Sequence, residues 1–319
     1  MKSFLTYRFC LFLILIPALV FSQSPPSFKI IPLGVKGGID ESNLSSYALA
    51  VEGTEEYVCL DAGTLHYGIQ KAIAAGIWKG DATELLKSKV KGYLISHGHL
   101  DHLSGLVTNS PDDSAKPIYA MAPCIEVLKE KYFSWKSWAN FANEGEKPAL
   151  GKYHYVVLQQ ATALPLEQTS MSVIAFTLSH SNPYQSTAFL IRHQEEYVLY
   201  LGDTGADEIE KANNLRMLWQ EVSPLITTKK LKGIFIEVSF SNEQPNQSLF
   251  GHLTPRLLMN EMNVLSEFTG EEALKGFPIL ITHMKPAGNR EAVIKKQLSE
   301  SNQLGLKLIF PEQAKLIKL

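Results

Sequence analysis

Apolar and polar positions along the chain switch repeatedly between two periods. Short apolar or alternating runs at residues 28–33, 46–51, 57–60 and 90–95 read as strands, and Gly37-Gly38 and Glu52-Gly53 punctuate the first three as turns. Residues 65–75 and 82–88 carry helical spacing, and Asp81 stands where the second helix needs an N-cap. Strands follow at 117–121, 153–158, 171–178, 187–192, 197–201, 233–238, 277–281 and 306–310. Helices are expected at 125–133, about 206–221, 255–268 and onward from Asn289. Residues 134–152, with Trp135, Trp138 and Phe141 among several Gly and Pro, fit none of these elements and are expected to form an insertion or lid. There is no internal repeat and no low-complexity tract, and the alternation predicts an α/β sandwich built as one domain.

The N-terminus departs from this pattern. Lys2 and Arg8 precede an apolar stretch at 9–21 that ends at Ser22, with Val20 and Ser22 at the −3 and −1 positions of a cleavage site. Residues 1–22 therefore read as a secretory signal peptide and 23–319 as the mature domain. The stretch is short for a membrane span of about 20 residues and no stop-transfer pattern follows, so cleavage is expected rather than anchoring. Cys10 precedes most of the apolar stretch, which is the wrong place for lipid attachment at the cleavage point. Cys59 and Cys124 remain, enough for one disulfide but not for a framework; Cys59 lies in an apolar strand and reads as a core residue. These features predict a periplasmic or secreted protein.

At 319 residues, with 45% hydrophobic and 19% charged residues and a formal net charge of −2, the chain has the composition of a soluble enzyme. No basic block is present to bind a nucleic-acid polymer.

The chemistry concentrates after the strand at 90–95, where His97-Gly98-His99-Leu100-Asp101-His102 places three imidazoles and a carboxylate in one small volume. Neutral imidazole and ionised carboxylate are the donors that borderline metals such as Zn²⁺ take, so this loop reads as a metal site. Three more apolar strands end in a potential ligand: His180, Asp203 and His283. Side chains at strand ends, and the loops beyond them, line a common sheet edge, so these groups can converge beside the histidine-rich loop.

With these residues the chain resembles the metallo-β-lactamase superfamily, which implies a four-layer αβ/βα sandwich carrying a two-metal site between its sheets. The resemblance implies that His97, His99 and His180 hold one metal, that Asp101, His102 and His283 hold the second, and that Asp203 bridges both. The true β-lactamases typically have cysteine where Asp203 stands, which weighs against antibiotic hydrolysis. A narrower resemblance is to the class II 3′,5′-cyclic nucleotide phosphodiesterases. It is carried by His97-Gly98-His99-Leu100-Asp101-His102-Leu103-Ser104-Gly105-Leu106-Val107 with Ser110-Pro111, by Phe235-Ile236-Glu237-Val238-Ser239-Phe240, by Leu249-Phe250-Gly251-His252-Leu253-Thr254-Pro255, and by Ile281-Thr282-His283-Met284-Lys285-Pro286. Thr108 departs from that signature, which prefers an aliphatic residue there.

The family hydrolyses cAMP or cGMP to the 5′-monophosphate, and some bacterial members are exported. The expectation is thus an exported dinuclear phosphodiesterase with two divalent metal ions, most suitably zinc, and a small cyclic nucleotide as substrate. Asp101 is expected to orient the attacking hydroxide while ligating the second metal, and His252 to be the general acid for the 3′ leaving oxygen. Thr254 is placed to cap the helix that Pro255 opens. A lactonase or general phosphodiesterase on the same scaffold would use nearly the same ligands. A periplasmic metal-binding or sensing protein is the rival from another class, and the open, water-accepting ligand set speaks against it.

Of the remaining candidates, Asp61 is expected to cap the helix at Leu65, with a place near the site as the alternative. His66, His154 and His193 are read as structural or surface residues. Trp135, Trp138 and Phe141 suit three uses: stacking on a purine, packing onto their own domain, or a homodimer contact.

Overall fold

The computed structural model describes Met1 and residues 27–319, so the expected leader lies, apart from Met1, outside the described residues. The first half of the chain runs β1 (Phe28–Gly34), β2 (Ser46–Val51), β3 (Tyr57–Leu60), α1 (His66–Ala74), α2 (Ala82–Lys89), β4 (Val90–Leu94), α3 (Leu100–Asn109), β5 (Lys116–Met121), α4 (Ala122–Val127) and β6 (Tyr153–Leu158). The second half runs β7 (Ala163–Pro165), β8 (Ser172–Ser179), β9 (Gln185–His193), β10 (Glu196–Leu201), α5 (Asp207–Glu210), α6 (Asn214–Thr227), β11 (Leu231–Glu237), α7 (Pro255–Thr269), α8 (Glu271–Leu274), β12 (Pro278–Thr282), α9 (Arg290–Ser301), β13 (Lys307–Ile309) and β14 (Ile317–Lys318).

The strands form two seven-stranded sheets, ordered β14-β1-β2-β3-β4-β5-β6 and β13-β12-β11-β10-β9-β8-β7. Each half begins with antiparallel strands and continues with parallel ones, β3 to β6 in the first sheet and β10 to β13 in the second. The last strand returns to the first sheet, where Lys318 pairs with Lys29.

Alternation along the strands divides the apolar residues among three cores. In β10, β11 and β12 the residues Leu199, Ile234, Ile236, Ile279 and Ile281 pack against α6, α7 and α9. Their neighbours Val198, Tyr200, Phe235 and Leu280 face the other sheet, where they meet Tyr47, Leu49 and Leu94. Ala48, Ala50, Cys59 and Tyr93 face outward beneath α1, α2 and α3. Strands buried on both faces are nearly continuous apolar runs, as their sequences are. The layers are α/β/β/α, the four-layer sandwich expected.

The element boundaries shift by a few residues in most places, with three larger differences. The helix expected at about 206–221 is two: α5 ends at Lys211 in a left-handed turn, and α6 starts again at Asn214. The short edge strands β7 and β14 were not expected, because three- and two-residue runs carry too little period to register. In 134–152, Trp138 donates to Ser110 Oγ (3.0 Å), and Trp138 and Phe141 pack on the outer core of the first sheet. Of the three uses, packing onto its own domain accounts for Trp138 and Phe141; Trp135 is 43% exposed and donates to Pro148 O.

Cys59 and Cys124 are both buried and free, so the optional disulfide is not made. Among the described residues, no helix is long and apolar enough to cross a membrane.

Candidate metal and phosphodiester site

Six strands end at one edge of the sandwich, and each delivers a polar group there. β3 leads to Asp61, β4 to His97, β8 to His180, β10 to Asp203 and β12 to His283, while Glu237 is the last residue of β11. His99 precedes α3, and Asp101 and His102 lie in its first turn. All of the metal-ligand candidates read from the sequence are thus brought together. Ligand atoms of His97, His99, His180 and Asp203 lie within 4.8 Å of one another, as do those of Asp101, His102 and His283, and those of Asp203, His252 and His283.

The hydrogen bonds behind the rings decide which nitrogens face the centre. His102 Nδ1–H donates to Asp61 Oδ2 (2.7 Å) and His180 Nδ1–H to the Gly251 carbonyl (2.7 Å). Ser96 Oγ–H is committed to Asp61 (2.8 Å), so His97 Nδ1–H donates to Ser96 Oγ (3.0 Å). Ser239 Oγ–H is committed to Glu237 (2.7 Å), so His283 Nδ1–H donates to Ser239 Oγ (2.9 Å). Each ring therefore turns its Nε2 inward, as a bare lone pair wherever the ring is neutral.

Those lone pairs crowd one another. His102 Nε2 lies 3.0 Å from His283 Nε2, and His99 Nδ1 lies 3.0 Å from His97 Nε2 and 3.2 Å from His180 Nε2. Asp203 Oδ2 stands between the groups, 3.3 Å from His102 and His283 and 3.9 Å from His97 and His180. Lone pairs and a carboxylate oxygen converging in a buried volume repel unless cations lie among them, and imidazole–carboxylate sets with carboxylates behind the rings suit divalent metals. The residues fit the metal centre that the sequence pattern implies.

The charge balance agrees. Burial, reinforced by neighbouring imidazoles, holds His97 well below the ordinary histidine range, His99 down to about 4, and His180 low, so all three are neutral donors. His102 is the exception: burial opposes its protonation, but Asp203, Asp61 and Asp101 prevail and raise it well above that range. Asp203 is held well below the carboxylate range by His102, His283 and His252 against its burial.

Behind His252 lies a residue that was quoted in the sequence motif but given no role there. Glu237 Oε1 accepts His252 Nδ1–H at 2.7 Å, and its other oxygen accepts both Ser239 N–H (3.0 Å) and Ser239 Oγ–H. Burial raises Glu237 to about 7, and burial lowers His252 to about 4: the dry pocket disfavours charge on either partner. The available signal was a fifth strand ending in an ionisable residue.

The profile of the family described as cAMP phosphodiesterases class-II matches residues 75–314. The chain belongs to this family. It is 44% identical over 308 residues to a 3′,5′-cyclic-nucleotide phosphodiesterase of Aliivibrio fischeri, covering 92% of this chain and 93% of that protein. It is 38% identical over 307 residues to a probable 3′,5′-cyclic-nucleotide phosphodiesterase of Yersinia pestis, covering 92% and 89%. Among solved structures, unliganded yeast PDE1 superposes with a TM-score of 0.81 at 22% identity, over 92% of this chain and 100% of that one. The metallo-β-lactamase fold protein YhfI of Bacillus subtilis gives 0.61 at 16% identity, over 92% and 100%. The two structural likenesses show the fold.

Within this class II member, one reading from the sequence needs correction. Asp61 does not cap α1, whose N-cap is Leu65 without a side-chain bond. It accepts from Ser96 N–H (2.7 Å), Ser96 Oγ–H, His102 and Tyr200 OH (2.7 Å), making it the carboxylate behind the site. Its φ of 55° turns the chain at the end of β3. His66 is half-buried with Nε2 3.3 Å from Thr83 Oγ1, in keeping with a structural role, and lies in the wall of a cavity that also reaches Asp101. His154 pairs with Glu167 on the surface (3.0 Å) and His193 with Ser170, as read. Tyr184 was not singled out by the sequence: its ring stacks on His99 (4.9 Å, 9°) and its hydroxyl accepts Gly98 N–H.

Proposed function

We propose that this chain hydrolyses 3′,5′-cyclic nucleotides such as cAMP and cGMP to their 5′-monophosphates at a centre of two zinc ions, and that it is exported to do so. The observation that carries the reading is the pair of inward-facing donor groups sharing Asp203 Oδ2, 3.3 Å from one pair of imidazoles and 3.9 Å from another. The two bacterial relatives, a 3′,5′-cyclic-nucleotide phosphodiesterase and a probable one, suggest the substrate class. His97, His99 and His180 would hold one metal, Asp101, His102 and His283 the other, with Asp203 between them.

When bound, two metals supply positive charge against the phosphoryl oxygens and lower the pKa of the attacking water. The chain's own groups supply direction. Asp101 Oδ2 is fixed by the Gly38 amide (2.9 Å) and stands 3.1 Å from His283 Nε2, so it holds the water for attack on phosphorus. A bond forms from that oxygen to phosphorus as the bond from phosphorus to the 3′ oxygen breaks, and the departing 3′ oxygen needs a proton. His252 holds Nδ1–H on Glu237, which leaves Nε2 as the free atom that would take up a proton from water and pass it to the leaving oxygen. The leader read in residues 1–22 supports export.

The test is hydrolysis of 3′,5′-cAMP by purified protein with product identification, chelator treatment and zinc re-addition. Chelator-sensitive, zinc-restored formation of 5′-AMP is expected. Formation of 3′-AMP, or no turnover by protein carrying two metals per chain, overturns the proposal. N-terminal sequencing of exported protein is expected to start at Gln23.

A further inference from the structure

Most imidazoles at the centre are oriented by an acceptor behind the ring. His97 donates to Ser96, His102 to Asp61, His180 to the Gly251 carbonyl, His252 to Glu237 and His283 to Ser239. His99 is the exception. It turns Nδ1 to the centre, 3.0 Å from His97 Nε2 and 3.2 Å from His180 Nε2, and its outer Nε2 meets no acceptor among the described residues. What lies against this ring instead is Tyr184, stacked 4.9 Å away with its plane 9° from that of His99. Resting on the two-metal reading, we propose that Tyr184, working with Tyr132 on the Gly98 backbone, is the positioning residue of the metal site formed by His97, His99 and His180, and of that site only.

Tyr184 reaches every member of that set. Its hydroxyl accepts Gly98 N–H at 3.1 Å, between His97 and His99 in the chain. Its backbone carbonyl accepts His180 N–H at 3.1 Å, and its own N–H closes the turn on the Ser181 carbonyl. Its ring also stands edge-on to His97 (6.1 Å, 77°). Gln185 then enters β9 opposite Ser179 of β8, so the turn carrying Tyr184 is anchored to the strand that delivers His180. Among the described residues, none of these contacts falls on Asp101, His102 or His283. An imidazole ligand whose outer nitrogen is unbonded is free to rotate about its ring axis, and a stacked aromatic face limits that rotation where a hydrogen bond otherwise would.

Tyr132 completes the arrangement. It ends the π-helical turn Leu128–Tyr132 that follows α4, and its hydroxyl donates to the Gly98 carbonyl (3.0 Å). Isolated π turns recur at functional sites, where they re-aim a side chain that a regular helix would direct elsewhere. The Gly98 backbone is thus fixed at both its donor and its acceptor, by residues 86 and 34 positions away in the chain. No side chain fits between these supports: a Cβ on Gly98 would lie 2.5 Å from Val127 Cγ1 and 3.3 Å from Tyr184 Oη. First-ligand geometry held from behind in this way is what keeps a metal site tight.

The experiment counts zinc on the purified protein at buffered free zinc, by native mass spectrometry, and locates it by anomalous diffraction. Tyr184→Leu, which removes the stacked ring and the acceptor together, is expected to weaken one zinc about 10–100-fold and to leave the other within about threefold. The zinc retained is expected among Asp101, His102 and His283. Tyr184→Phe, which keeps the stacked ring, is expected to recover most of the affinity lost in Tyr184→Leu. Tyr184→Phe with Tyr132→Phe keeps both rings and removes both hydrogen bonds, and is expected to weaken the same zinc about tenfold. Equal weakening of both zinc ions, a retained zinc at His97, His99 and His180, or undiminished affinity in the double variant overturns the proposal. The double variant decides alone if Tyr184→Leu does not fold. Unsubstituted protein that binds fewer than two zinc ions per chain overturns the two-metal reading, and this proposal with it.

Discussion

Asp61 shows how much of the site depends on one carboxylate that binds no candidate substrate atom. It accepts four hydrogen bonds, and the one from His102 sets which ring nitrogen faces inward. Asp61→Asn introduces an N–H where an acceptor is needed, so metal affinity is expected to fall 10–100-fold, read by competition with a chelating dye. Unchanged affinity would mean that the His102 tautomer is set elsewhere. His252 and Glu237 form another buried imidazole–carboxylate pair. His252→Ala is expected to lower kcat by roughly 10²–10⁴ with metal content unchanged, the range for removal of a general acid. Loss of a metal instead would make His252 a ligand, which its place near Asp203 and His283 keeps as the alternative outcome. His97, His99, Asp101 and His102 were legible as a cluster because they are close in sequence. Asp61 and Glu237 were not assigned their places, since what makes each of them matter is a partner 41 residues away (His102) or 15 residues away (His252).

At the scale of elements, the decisive contact is between α3 and the turn that follows β3. Ala62 N–H donates to His102 O (2.7 Å), and Gly105 N–H and Leu106 N–H reach the carbonyls of Gly63 (2.9 Å) and Ala62 (3.1 Å). A Cβ at position 105 would lie 2.7 Å from Ala62 O and 2.9 Å from Gly63 O, backbone atoms that cannot step aside. Gly105→Ala is therefore expected to push α3 outward, destabilising the fold by about 1–3 kcal/mol and lowering metal content, because Asp101 and His102 travel with the helix. Asp81→Ala gives the contrast. Asp81 caps α2 by accepting from Thr83 N–H (2.9 Å) and Glu84 N–H (3.1 Å), away from the site. Its loss is expected to cost about 1 kcal/mol in urea unfolding, with kcat/KM unchanged. Both α2 and its cap were readable from local sequence, as was the Thr254 cap of α7, because a cap is a matter of three or four consecutive residues. The closeness of α3 to the turn after β3 was not, because it depends on two backbones meeting in space.

Over the whole molecule, stability is tied to pH and to metal. Burial pushes the hydroxyls of Tyr47, Tyr93, Tyr153 and Tyr200 well above the ordinary tyrosine range and Cys59 up to about 12. The unfolded chain ionises its thiols from about pH 8.5 and its phenols near pH 10, so above those values it binds fewer protons than the native state. Stability from these groups is thus complete below about pH 8.5 and is lost as pH rises toward the raised native values. Lys116, lowered by burial, works in the opposite direction but is a single group. The urea midpoint is expected to fall steeply between about pH 9 and 11, and a flat profile would contradict the burial of these tyrosines. Metal acts by mass action: a chelator is expected to lower Tm, since ligand at about 100 times its Kd adds roughly 2.7 kcal/mol to the native state.

Local sequence by itself determined the strands and helices with strong period, the caps, and the density of ligand-type residues around His97. These follow from near neighbours along the chain, where spacing and side-chain type suffice. That four apolar strands end in His or Asp was visible too, and it pointed correctly to a shared sheet edge. Only the tertiary structure decided that β3 and β11 also deliver their carboxylates to that edge, which nitrogen each imidazole turns inward, and which cavity opens onto Asp101. The reason is physical: a tautomer is set by the acceptor behind the ring, and for His102, His180, His252 and His283 that acceptor comes from another strand or loop.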